Sequence, residues 1–316
     1  MSQNKSFNVV AFGEVLWDLL PDQAIIGGAP FNFAYRAGSL GHRAYIVSRV
    51  GRDDLGDNAL SKVRDLGMPT TYIQRDSLYP TGTVEVFLDE HKKPDYHIIA
   101  GVAYDHIRVS EPVLSLAGSA DCLCFGTLAQ RSKASRETLQ ALLTAFRGRY
   151  RLYDINLRKD CYDRAVIHTS LSHADVVKLN DEEAREVNRL LALHEGTHLD
   201  IGKALIRQYP VRICVITFGQ HGVLAISSDN EVVYEPGYSV RMRDPLGAGD
   251  AFSAGFISNL LSGSGLRDAC RFGNQMGAVV ATQAGATQKI TGPEMQVVAR
   301  KPPSNIQPEL AEFIHE

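Results

Sequence analysis

Six short apolar runs recur along the chain: NVVAFG, AYIVSRV, CLCFG, RLYDIN, VVKLN and ICVITFG. The stretches between them carry apolar residues at helical spacing. Strands that are apolar throughout need cover on both faces, so the alternation predicts βαβ units around a mainly parallel sheet, an α/β fold. Several runs end in Gly or Asn followed by polar residues, where strand C-termini meet loops. In open α/β sheets that edge carries the ligands.

Two regions break the alternation. GEVLWDLLPDQAIIGGAPFN and PTGTVEVFLDEHKKPDYHII have strand and turn character without an intervening helix, with DEHKKPD as a polar turn. They predict a small β-sheet appended at the ligand edge, from about residues 14–31 and 80–103. Such a sheet is either a flap that excludes water from a reaction or a static edge hairpin.

Composition narrows the classes. The chain has 316 residues, 44% hydrophobic and 22% charged, and a net charge of −3, values ordinary for a globular protein. That charge gives no general electrostatic reason to expect nucleic acid or an anionic membrane as partner. The polar start MSQNKS runs directly into a strand-like segment, which excludes a signal peptide or membrane span there, and a cytoplasmic location is expected. Five cysteines without paired metal-ligand spacing predict reduced thiols, with Cys122 and Cys124 on one sheet face as packing residues.

His194-Glu195-Gly196-Thr197-His198 is a literal H-E-x-x-H zinc-hydrolase signature. That chemistry needs both histidines on one unbroken helix. Residues 181–193 are rich in helix formers, but Gly196 interrupts the motif and should stop the helix. Thr197 with Asp200 then opens a second helix through Gln208. A turn between two helices is the expectation; a zinc hydrolase is the remote alternative.

The run RDPLGAGDAFSAGFISNLLSG, residues 243–263, carries the most chemistry. Gly247, Ala248 and Gly249 precede an amphipathic helical segment, so compact backbone amides converge at a helix N-terminus and suit an anion. Asp250 lies in that first turn, as a cap or as a carboxylate base. There is no G-x-x-x-x-G-K-[ST] run, and GAGD does not satisfy G-x-G-x-x-G, which excludes the P-loop and dinucleotide-binding fingerprints.

DPLGAGD at 244–250 resembles the D-T-x-G-A-G-D signature of the ribokinase (PfkB) family of sugar kinases, with Pro245 in place of Thr. GGAPFNFAYRAGSLG at 27–41 resembles that family's N-terminal Gly-Gly motif. KLNDEE at 178–183 matches N-x-x-E, and TFGQHG at 217–222 matches T-x-G-x-x-G. The four motifs stand in the family order. The resemblance implies a single ribokinase-like domain over residues 1–316, a three-layer α/β/α sandwich with a β-sheet lid, using ATP and Mg²⁺.

It also implies roles. Asp250 is the expected base, and the amides of Gly247 through Asp250 the expected anion hole for the transferring phosphoryl group. Asn180 and Glu183 are expected to organise Mg²⁺ and phosphates, partly through water, although Glu183 alone reads as an exposed first-turn acid. Thr217, Gly219, Gly222 and Asn274 are the expected nucleotide contacts. Asp18, Gly28 and Asn32 are the expected sugar contacts. Arg158 completes a D-x-N-x-R run like that of fructokinase-like and ketodeoxygluconate-kinase-like members, near phosphate or an acidic substrate, or else is a surface arginine. Asp244, Leu246, Val280, Gln283 and Gly285 align with a monovalent cation site, so K⁺ is a further expectation.

Within the family, GEVLWDLLP, the lid segment and CFGTLAQRS are more like bacterial fructokinases, implying fructose to fructose 6-phosphate. The tryptophan often found after D-x-N-x-R is absent, with Cys161-Tyr162 nearby. Another sugar kinase, for example one acting on 2-keto-3-deoxygluconate, shares every catalytic residue, and a non-catalytic sugar-binding protein shares the scaffold. Unpaired lid edges imply a homodimer through the lid.

Overall fold

The computed structural model describes residues 5–20, 22–88, 94–303 and 306–314. Its strands are β1 (Asn8–Phe12), β2 (Leu16–Leu20), β3 (Gln23–Gly27), β4 (Arg43–Gly51), β5 (Ile73–Asp76), β6 (Gly82–Leu88), β7 (Pro94–Ile98), β8 (Cys122–Phe125), β9 (Tyr150–Asp154), β10 (Val176–Asn180), β11 (Ile213–Thr217), β12 (Val223–Ser227) and β13 (Val232–Glu235). Its α-helices are α1 (Ala29–Ser39), α2 (Asp54–Asp65), α3 (Glu111–Gly118), α4 (Lys133–Ala145), α5 (Arg164–Leu171), α6 (Asp181–Leu191), α7 (His198–Gln208), α8 (Ala248–Ser262), α9 (Leu266–Ala281) and α10 (Gly292–Ala299).

Nine strands form the large sheet in the order β13-β12-β11-β10-β9-β8-β1-β4-β5. The six apolar runs are its consecutive parallel strands from β11 to β4, with β5 added in parallel at one end. The other end closes with an antiparallel pair, β12 and β13, that the apolar runs do not announce.

Alternation along β1 shows why both faces are covered. Val10 and Phe12 join a core with Val113, Leu139, Ile167, Val187 and Leu205, which come from α3 through α7. Val9 and Ala11 join a second core with Phe33, Val63, Phe256 and Cys270, from α1, α2, α8 and α9. The result is the expected three-layer, ribokinase-like α/β/α fold. Cys122 and Cys124 lie together in the second core, and all five cysteines are buried and free.

The smaller sheet has the order β3-β2-β6-β7, built from the two expected segments. β2 pairs antiparallel with β3 and parallel with β6, and β6 pairs antiparallel with β7. The first segment ends earlier than expected, because α1 begins at Ala29. Residues 89–93 of the expected polar turn lie outside the described residues.

The H-E-x-x-H segment is a turn, and the helix before it stops sooner than Gly196. Ala192 takes a left-handed conformation with φ 53° and ends α6; His194 has φ 60°. Glu195 pairs with Arg207 at 3.1 Å, while His198 Nε2 faces the Asp181 carbonyl at 3.3 Å from the start of α7. Thr197 caps α7 as expected, its hydroxyl accepting from the Asp200 amide. The two histidines do not share a helix face, and no cluster of three or more metal-binding side chains occurs among the described residues, so the segment lacks the zinc arrangement its signature requires.

Candidate active site

The C-terminal ends of β1, β9, β10 and β11 open on one side of the large sheet, and the expected site residues gather there. Asn180 and Thr217 are register partners at the ends of β10 and β11. Across from them, α8 directs its N-terminus at the same edge.

Gly247 is the N-cap of α8, at φ 76°. A methyl group there would collide with Ala286, so this glycine allows both the left-handed turn and close packing of two loops. The Ala248 amide, one of the expected anion-hole donors, donates to Pro245 O at 3.2 Å. The Gly249 and Asp250 amides, in the first turn of α8, make no bond to the chain among the described residues. They are the exposed positive end of a 15-residue helix. The expected amphipathic character of α8 is not found: it is buried from Ala251 through Ile257 because α1 and α9 pack around it.

Asp250 does not cap the helix; no side chain does. Its Oδ2 accepts a 2.9 Å hydrogen bond from Asn32 Nδ2. Burial, and then the negative charge of Asp154, push its carboxyl up to about 7, against the Asn32 bond and the charges of Lys178 and Arg158. Asn32 stands on α1, which follows β3 of the lid with only Gly28 between. Gly28, at φ 114°, lies so close to the Glu14 carbonyl that any side chain would clash.

Several groups that complete the site were not among the expected residues. Lys178 Nζ lies 3.0 Å from Asp154 Oδ1, and Ser253 Oγ donates to Asp154 Oδ2 at 2.7 Å. Lys178 also reaches the expected anion hole, since a Cβ on Gly249 would sit 3.2 Å from its Nζ. Burial works against its charge, but Asp154, Glu183 and Asp250 together raise its affinity for the proton. A lysine inside the apolar run VVKLN was a signal, because a buried lysine needs an acid partner. Glu14 is buried just after β1, and desolvation raises its carboxyl despite Arg158 and Arg131.

The remaining expected residues divide. Asp18, on β2, is pushed up to about 6 by burial, partly offset by Arg158. Arg158 is exposed, and its charge acts on Glu14, Asp18 and Asp250 together. Glu183 is buried rather than an exposed acid: its two carboxylate oxygens accept the Asn180 and Leu157 amides, each at 2.8 Å. Asn180 Oδ1 accepts the Glu183 amide in return, a complete capping box.

Gly219 and Gly222 shape the turn between β11 and β12, and Thr217 Oγ1 faces Leu179 O at 3.4 Å. Asn274 donates to the carbonyls of Glu235 and Pro236, tethering α9 to the end of β13. Asp244 bonds the amides of Leu246 and Gly285, each at 2.9 Å, and the Gln283 amide bonds Val280 O. The five residues expected around a monovalent cation are thus close together.

Comparison with known proteins agrees with this architecture. The chain matches the family model described as pfkB family carbohydrate kinase over residues 22–291. A fructokinase of Escherichia coli is 29% identical over 269 residues, covering 81% of this chain and 85% of that one. A fructokinase of Klebsiella pneumoniae is 30% identical over 268 residues, covering 78% and 82%. The crystal structure of fructokinase from Vibrio cholerae O395 in fructose, ADP and calcium ion bound form superposes with a TM-score of 0.79 at 25% identity, covering 93% of this chain and 99% of that one. A match spanning most of the chain, with the fold in agreement, makes this protein a member of the pfkB family of carbohydrate kinases.

Proposed function

We propose that the protein transfers the γ-phosphate of ATP to a terminal hydroxyl of fructose, giving fructose 6-phosphate. One observation carries the reading: Asp250, with a proton affinity near neutrality, stands one residue from the Gly249 amide at the head of α8, which makes no bond to the chain among the described residues. A carboxylate there takes the proton of an attacking hydroxyl while the adjacent amides receive the charge of the transferring phosphoryl group. Lys178 adds a fixed positive charge beneath that hole. Asn32 orients the base.

Asn180, Thr217, Gly219, Gly222 and Asn274 border the nucleotide side in this proposal. Glu183 has both oxygens engaged by amides, and no cluster of three or more metal-binding side chains occurs among the described residues. That fits Mg²⁺ carried by the phosphates and waters, with Glu183 acting at most through water. Potassium beside Asp244, Leu246, Val280, Gln283 and Gly285 is proposed as an activator; equal turnover in K⁺ and Na⁺ would discard it.

Asp18, Gly28, Asn32 and Arg158 border the sugar. Fructose is favoured over 2-keto-3-deoxygluconate because two acidic side chains, Glu14 against Gly28 and Asp18 on β2, stand on the sugar side, and in their ionised forms they repel a substrate carboxylate. Neutral hydroxyls suit them as hydrogen-bond partners. The relatives named as fructokinases support the same choice. Pairing through the lid edges would make the protein a homodimer, and a monomer by light scattering at all concentrations would remove that part. No helix among the described residues is long and apolar enough to cross a membrane.

The test is ADP release from Mg²⁺-ATP across fructose, ribose, 2-keto-3-deoxygluconate and other hexoses, with the native protein and Asp250→Asn. Turnover on fructose that collapses in the variant is expected. Saturable sugar binding without turnover would support a non-catalytic binding protein instead.

A further inference from the structure

Arg36 has no solvent exposure, yet no carboxylate lies within ion-pair distance of it among the described residues. A buried, unpaired guanidinium is costly and calls for hydrogen bonds in compensation. Its Nη1 donates to Gln288 O at 2.6 Å and its Nη2 to Ala286 O at 2.5 Å, while its Nε has no partner. Burial lowers its affinity for the proton, and the charges of Tyr35, Asp250 and Glu294 counter that only in part.

The two carbonyls belong to the segment that backs the anion hole. Ala286 is buried against Gly247, and the Gly285 amide beside it is held by Asp244, which also holds the Leu246 amide. On the other side, Arg36 shares α1 with Asn32, one helical turn away, and Asn32 bonds Asp250. A single helix therefore touches the base through one side chain and the backing of the hole through another.

We propose that Arg36 is a positioning residue for phosphoryl transfer: its guanidinium clamps the carbonyls of Ala286 and Gln288 and so fixes the wall against which Gly247 sets the anion hole. The inference rests on the kinase reading above. A bidentate fork is suited to this task because it fixes two acceptors in one plane, which a lysine ammonium does not.

The experiment compares native protein with Arg36→Met and Arg36→Lys on the sugar that the native protein turns over. Loosening of the wall is expected to lower kcat by about tenfold to a hundredfold with KM for the sugar changed by less than about twofold. Arg36→Lys should recover part of the loss. With ADP and sugar present, affinity for aluminium fluoride, a mimic of the transferring group, should fall in proportion to kcat, and affinity for ADP alone should not. If Arg36→Met does not fold, Arg36→Lys is measured in the same way. A folded variant with native kcat and native aluminium fluoride affinity overturns the inference while leaving the kinase reading intact. Absence of turnover by the native protein on every sugar withdraws both.

Discussion

Asn32 and Asp250 are 218 residues apart in sequence and joined by a 2.9 Å hydrogen bond from Nδ2 to Oδ2. The donor favours the ionised carboxylate, and so works against burial, the main cause that raises Asp250 to about 7. As the proposed base, Asp250 must be ionised, so kcat/KM is expected to fall as pH drops through about 7. Asn32→Ala removes the donor and should move this acid limb to higher pH, lowering turnover most at neutral pH. A limb that stays in place, or moves down, would show that the bond does not tune the base.

The same carboxyl bears on stability with a definite sign. Its folded value of about 7 lies above the ordinary 3.8, so its contribution is greatest below about pH 3.8 and is lost as pH rises through about 7. Asp250→Asn should therefore be more stable than native protein above neutrality, by about 1–2 kcal/mol, a figure discounted because the side chain is partly open to solvent. The gain should vanish in acid. Urea unfolding of both proteins across pH checks this, and a variant less stable at alkaline pH would contradict it.

Lys178 and Asp154 pair at 3.0 Å with little solvent around either side chain. Removing one partner strands the other, so Lys178→Met should destabilise the fold by about 3–5 kcal/mol. It should also raise the pH of the Asp250 limb, because a nearby positive charge is lost. The double variant with Asp154→Asn should regain much of the stability without native turnover, since the charge under Gly249 is still missing. Native kcat in a folded double variant would mean that this charge plays no part in the chemistry.

Much of the large sheet was legible because a parallel strand covered on both faces has to be apolar throughout. Helix ends were less legible. Gly196 was the evident breaker in the H-E-x-x-H segment, but the chain turns at Ala192, where an L-residue accepts a left-handed conformation. The edge strands β12 and β13 were passed over, although VLAIS and VVYE flank the polar turn SDNE.

At the site, the glycines and Asp250 could be located from their motifs, but not the balance of forces on them. In an isolated sequence Asp250 reads as a cap; only folding brings Asn32 and Asp154 to it. Arg36 gave no local sign of its partners either. They lie about 250 residues downstream and are main-chain carbonyls, which any amino acid supplies.

The proposed base and the amides proposed to bind phosphate belong to neighbouring residues of one helical turn, whereas Asp18 lies on a separate sheet. Their backbone spacing is thus set by covalent construction, and the lid reaches the carboxyl only through Asn32, on the helix that follows β3. Acceptor choice and phosphoryl chemistry become separable tasks. On the proposed reading, substitutions on β2 are expected to change which sugar is accepted more than they change the first turn of α8.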